Sequence, residues 1–185
     1  KTELMNEQFE KYTNVRPHYL DLEKVNSIEL ENILADEGPI DILVNNAGYL
    51  VNKPFKEMDT TDFSKSFQIN ILGIMEVIQY CIPHLNKEFA HIVNISSIGG
   101  FQGSEKFPGL TVYSSSKAAM CGFTEVFAEE YKDSHIHMNC LCLGAVQTDM
   151  LEKAFPGYQA QVKPDEMASY IYDFALNQGR LLNGE

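Results

Sequence analysis

The sequence predicts an α/β protein built on a doubly wound parallel sheet, with helices on both faces. Two short runs rich in branched apolar residues, Ile40-Asp41-Ile42-Leu43-Val44 and His91-Ile92-Val93-Asn94-Ile95, suit strands buried on both sides. Stretches with apolar residues at helical spacing stand between such runs, giving strand, helix, strand, helix, strand, helix, strand, helix. That alternation argues for parallel pairing, and right-handed crossovers then place every strand's carboxyl end on one edge.

The elements follow in order. Residues 2 to 13 carry Leu4, Met5, Phe9 and Tyr12 at helical spacing and read as the tail of a helix stopped near Pro17. His18-Tyr19-Leu20-Asp21 reads as a short strand ending in an acid. Asn26 is the expected cap of the next helix, with Glu29 three residues on as in a capping box. Ile28, Leu30, Ile33 and Leu34 are its expected buried stripe, and Gly38-Pro39 its end. The strand at Ile40 to Val44 runs into Asn45-Asn46-Ala47-Gly48, small and polar residues that allow either a tight turn or a ligand near the main chain. A long helix is expected from about Thr60 to Ile82, its apolar face made by Phe63, Phe67, Ile71, Ile74, Met75 and Ile78. Asn70 lies within that face, where an amide needs partners, as a satisfied core residue or as a site residue. The strand at His91 to Ile95 ends in Ser96-Ser97-Ile98-Gly99-Gly100, and residues 101 to 112 read as a loop. A helix then runs to about Asp133, a strand from Ile136 to Leu143, and a loop over Gly144-Ala145-Val146-Gln147-Thr148. Residues 149 to 163 look mobile or irregular, and Pro164 opens a last helix to about Asn177. Thr148 has a bland reading as the cap of a short helix.

Composition narrows the function classes. With 185 residues and 44% hydrophobic content, one core and one domain over residues 1–185 are expected. A formal net charge of −12 argues against general affinity for nucleic acid or anionic membrane. No run approaches the ~18 apolar residues of a membrane span, and nothing looks like a signal peptide. Cys81, Cys121, Cys140 and Cys142 form no C-x-x-C pair. Cys140 and Cys142, two apart in a strand, point the same way. Reduced, buried thiols of a cytoplasmic protein are the expectation, with no metal site.

One stretch carries chemistry. Tyr113 and Lys117 are four apart in Tyr113-Ser114-Ser115-Ser116-Lys117, one turn from each other on a helix face. By itself the pair reads as a solvated face. Near a cation, however, a phenol is easier to ionise and can exchange a proton with a carbonyl or an alcohol. Ser97 lies sixteen residues earlier, at a strand's carboxyl end, where α/β sheets bind ligands.

Taken together, the motifs Asn45-Asn46-Ala47-Gly48, Phe67-Gln68-Ile69-Asn70-Ile71-Leu72-Gly73, Ile92 to Gly100, Tyr113 to Lys117 and Asn139 to Thr148 resemble the short-chain dehydrogenase/reductase family in its classical form. The resemblance covers nearly the whole chain, with the motifs in order. It implies a Rossmann-like three-layer α/β/α fold and NAD(P)-dependent hydride transfer between a nicotinamide cofactor, NAD or NADP, and a carbonyl or secondary alcohol. It also implies roles: Tyr113 as general acid/base, Lys117 lowering its pKa and holding the ribose, Ser97 holding the carbonyl oxygen, and Asn70 fixing a relay water. Asp21, Asn45, Ala47 and Gly48 would meet the adenosine and ribose, and Gly144, Val146 and Thr148 the nicotinamide end. A homodimer or homotetramer would use the helices around 60 to 82 and 113 to 133.

The chain departs from that pattern in places. Leu143 stands where the family usually has proline, and the Ser97-to-Tyr113 spacing is long. No glycine-rich phosphate loop occurs. The family's first two strands would precede Lys1 and its last would follow Glu185. The chain is therefore expected to be a fragment that binds cofactor poorly alone, with the strand at Ile40 an exposed edge. A catalytically silent relative is one alternative, and the presence of Ser97, Tyr113 and Lys117 argues against it; an enzyme of the same fold catalysing epimerisation or dehydration is another, and Ser97 argues mildly for simple hydride transfer instead.

Overall fold

The computed structural model describes Phe9 and residues 12–185. The helix expected over residues 2 to 13 falls mostly outside that set. Three strands, β1 (Ile42–Asn45), β2 (Ala90–Ser97) and β3 (Ile136–Leu143), form one sheet in that order. Both pairings are parallel, with Asn45 opposite Asn94 and Ser97 opposite Leu143. The carboxyl ends of all three strands therefore share one edge.

The helices are α1 (Ser27–Ala35), α2 (Thr60–Phe67), α3 (Gly73–Cys81), α4 (Thr111–Glu130), α5 (Asp149–Ala154) and α6 (Pro164–Asn177). Alternation along β2 explains the layers. Ile92 faces a core of Ile74 and Ile78 from α3, Met120 and Phe127 from α4, and Met138 from β3. Val93 and Ile95 face the other way, onto Leu141 and Ala175 of α6. Leu30 and Leu34 of α1 pack on Val77 and Cys81 of α3. Each fully buried side chain of this size contributes about 1.5–3 kcal/mol. Both faces of β2 thus have helical cover, as its continuous apolar sequence requires.

Several expectations need correction. Residues 18–21 form no strand: Asp21 opens a turn, accepting from the Glu23 amide at 3.0 Å. An extended segment needs a ladder partner, and among the described residues the sheet ends at β1, whose Val44 is 39% exposed. Ile28 is 68% exposed rather than buried. Asn26 does cap α1, accepting from the amides of Ile28 and Glu29, and the helix stops at Ala35. Residues 149–163 are more ordered than expected: Thr148 caps α5 through the Leu151 amide, and Val146 bridges to Val162.

The long helix from Thr60 to Ile82 is interrupted. A π-helical turn, Gln68–Leu72, separates α2 from α3 and contains Asn70. Beside it, Gly73 lies so near the loop before α1 that a Cβ would stand 2.4 Å from the Leu22 carbonyl oxygen. Only glycine permits that approach.

Candidate active site

The geometry starts at the end of β2. Ser97 leaves the strand with extended backbone and caps the 3-10 turn Ile98–Gly100, its hydroxyl accepting from the Gly99 amide at 3.2 Å. Gly100 presses onto the α4 backbone; a Cβ there would meet the Lys117 carbonyl carbon at 2.6 Å and the Ala118 nitrogen at 2.7 Å. A Cβ on Gly99 would meet the Ser114 hydroxyl at 2.9 Å. Two glycines thus seat the β2 end directly against the first turns of α4. This contact brings Ser97 to Tyr113. Burial pushes the Tyr113 phenol above its ordinary pKa, and a hydrogen bond with Ser97 pulls it down.

Lys117, one turn along α4, is 3% exposed, and its Nζ donates to the Ile95 carbonyl at 2.8 Å. Burial lowers its pKa, while neighbouring Cys140, Cys121 and Cys142 raise it. In this structure the Lys117 ammonium is turned to β2, onto the Ile95 carbonyl.

Asn70 is fully buried. Its Nδ2 donates to the Tyr49 carbonyl at 2.8 Å and to the Ser116 hydroxyl at 2.9 Å, while Oδ1 accepts from the Tyr49 amide at 2.7 Å. Ser116 in turn donates to the Tyr113 carbonyl at 2.8 Å. The π-turn therefore locks the loop after Gly48 to the helix that carries Tyr113. Gly48 faces the same corner, since a Cβ on it would lie 3.5 Å from both Asn70 Oδ1 and Lys117 Nζ and 3.9 Å from Met150.

The structure thus gathers Asn70, Ser97, Tyr113, Lys117 and Gly48. Asn45 plays a different visible part: its amide donates to Asn94 Oδ1 at 2.8 Å, and Asn94 donates to Thr124 at 3.0 Å, a buried polar chain between sheet and α4. Asp21 and Ala47 are exposed, and Gly144, Val146 and Thr148 follow β3 on the shared edge. Sequence reasoning missed Ser116 and Ser96, whose hydroxyl donates to the Lys117 carbonyl at 2.8 Å. It also missed that Cys121 closes on Cys140 and Cys142, with Sγ separations of 4.0 and 3.4 Å. The spacing of Cys121 four residues after Lys117 was the available signal.

These residues fit the ribose and nicotinamide end of a dinucleotide. The Lys117 ammonium has three donors, and the described residues supply it one acceptor, the Ile95 carbonyl. Gly48 has no side chain in this corner, where a Cβ would already touch Lys117 Nζ at 3.5 Å. A phosphate-binding glycine loop is not part of this sequence.

The family model for short chain dehydrogenase matches residues 2–159. A 3-oxoacyl-[acyl-carrier-protein] reductase, FabG, from Thermotoga maritima is 30% identical over 185 residues, covering 92% of this chain and 74% of that protein. Oxidoreductase UcpA from Salmonella typhimurium is 38% identical over 140 residues, 75% of this chain but 51% of that one. Among solved structures, a short chain dehydrogenase from Salmonella enterica superposes with a TM-score of 0.81 at 25% identity, covering 99% of this chain and 76% of that one. One from Escherichia coli, complexed with NADPH, gives 0.81 and 25%, covering 99% and 77%. The chain belongs to the short-chain dehydrogenase family, a family of NAD(P)-dependent oxidoreductases with a Rossmann-like fold.

Proposed function

We propose that this chain transfers hydride between NAD or NADP and a small carbonyl or secondary alcohol, with Tyr113 as the proton donor and acceptor. The observation that carries the reading is the tight seating of Gly99 and Gly100, at the end of β2, against Ser114, Lys117 and Ala118 of α4, which sets Ser97 beside the helix turn that carries Tyr113. In carbonyl reduction, the Ser97 hydroxyl orients the substrate oxygen and the protonated Tyr113 delivers its proton to it. The nicotinamide, when bound, supplies the hydride. Lys117, with donors to spare, holds the ribose hydroxyls. Asn70 has both Nδ2 donors taken, so a relay water would bond to the free lone pair of Oδ1, near Lys117. Gly144, Val146 and Thr148 face the nicotinamide, and Asp21, Asn45 and Ala47 the adenosine end, by likeness to the family's motifs. The NADPH-bound relative supports the cofactor class. The reductase and oxidoreductase relatives support the reaction class.

The same reading makes the protein a cytoplasmic homodimer or homotetramer, in keeping with its four free cysteines and the absence, among described residues, of a helix long and apolar enough to cross a membrane. Sedimentation of the intact enzyme checks the assembly. Tyr113→Phe in the intact enzyme tests the chemistry. Turnover with a carbonyl panel that includes a 3-oxoacyl thioester is expected to fall about 10²–10⁴-fold, while NADPH still binds by fluorescence. Unchanged turnover would overturn the assignment.

A further inference from the structure

The three sulfurs of Cys121, Cys140 and Cys142 lie within 4.8 Å of one another, and all three side chains are half-buried rather than sealed. Cys140 and Cys142 are two apart on β3 and so project from the same face of the strand. That face packs on α4, which supplies Cys121. We propose that these thiols form a three-sulfur site for a soft d¹⁰ cation, such as Zn²⁺ or Cu⁺.

The spacing suits the chemistry. A metal–sulfur bond of about 2.3 Å implies sulfur separations of about 3.8 Å in a tetrahedron and about 4.0 Å in a triangle. The observed 3.4 and 4.0 Å bracket those values closely enough for side-chain rotation alone to seat an ion. A disulfide would use two sulfurs and leave the third without a part. No carboxylate or imidazole joins the cluster among the described residues, so the donor set is all sulfur and favours soft ions over Mg²⁺ or Ca²⁺. The Ser96 hydroxyl, 3.7 Å from Cys121 Sγ, is bonded to the Lys117 carbonyl, which leaves the fourth position of a tetrahedral ion to water. Binding releases the thiol protons to solvent, and no electrons move. An ion here would pin α4 to β3 one turn from Lys117, because Cys121 Sγ also lies 3.4 Å from the Lys117 carbonyl oxygen.

The test is a titration of the reduced, metal-free protein with Co²⁺ and Cd²⁺ as spectroscopic probes, then with Zn²⁺ in competition. Thiolate charge-transfer absorption is expected to saturate at one ion per chain and to disappear on Zn²⁺ addition. Cys81→Ser is expected to keep the band and Cys142→Ser to lose it. Should Cys142→Ser fold poorly, mass mapping of alkylated thiols in the unaltered protein decides. Zn²⁺ is expected to protect Cys121, Cys140 and Cys142 together and leave Cys81 reactivity unchanged. No charge-transfer band, a band that survives Cys142→Ser, or protection of fewer than three of these thiols would overturn the site.

Discussion

The Tyr113 phenol is held above its ordinary pKa by burial, and Ser97 works against that rise. At neutral pH the group is therefore protonated, the form that the proposed carbonyl reduction requires. Alcohol oxidation needs the phenolate, so its rate is expected to climb through the alkaline range while carbonyl reduction declines there. Ser97→Ala removes the influence that favours the anion and is expected to move both limbs to higher pH. It should also lower kcat by about 10²-fold or more. Paired pH–rate profiles would show both effects, and a purely structural role for Ser97 would leave the limbs in place. His91 makes a separate residue-scale case. It is fully buried, its Nδ1 donates to the Ala175 carbonyl at 2.9 Å, and Asn139 Nδ2 donates to its Nε2 at 3.0 Å. Burial, the larger influence, and the nearby His137 lower its pKa from 6.5, against the Ala175 hydrogen bond. The unfolded chain thus takes up a proton that the folded chain refuses. The stability from neutral His91 is present above pH 6.5 and is lost as pH falls below it. Urea midpoints are expected to drop between about pH 7.5 and about pH 5.5, and less so in His91→Gln. The catalytic candidates were legible because their types and spacings are distinctive. Ser116 was not, since nothing in Ser114-Ser115-Ser116 marks which hydroxyl turns inward to Asn70.

Elements meet at this site through contacts that tolerate no added atom. Gly100→Ala would place a methyl group 2.6 Å from the α4 main chain, which cannot rotate away. A destabilisation of about 1–3 kcal/mol and a loss of activity are expected together, because the same contact sets Ser97 against Tyr113. Gly122, also on α4, has open space at its Cβ position, and Gly122→Ala is expected to stabilise the helix by about 0.4–1 kcal/mol. Thermal unfolding of the two variants separates packing from helix propensity. The π-turn at Asn70 lay beyond sequence reasoning for a related reason. Apolar spacing continues through Phe67, Ile71 and Ile74 with little change of phase, whereas the break answers to the Tyr49 backbone and the Leu22 loop, partners distant in sequence.

Across the molecule, β2 carries the load, with α3 and α4 on one face and α6 on the other. Met120 sits at 0% exposure in the larger core. Met120→Ala is expected to cost about 2–5 kcal/mol as read by denaturant unfolding, and by loosening α4 to lower activity as well. The sequence by itself determined the alternation of strands and helices from Ile40 onward, the parallel sheet and the family, because apolar periodicity and short motifs are local properties of the chain. It also singled out Ser97, Tyr113, Lys117 and Asn70 as candidates, which the fold brings to one corner. Only the tertiary structure decided that residues 18–21 stay out of the sheet, since a strand exists only where a neighbour meets its backbone. It alone turned Lys117 toward Ile95, tied Asn70 to Ser116 and brought Cys121 onto the thiols of β3. Each of these joins groups far apart in sequence, and their distances follow from how α4 packs against β2 and β3.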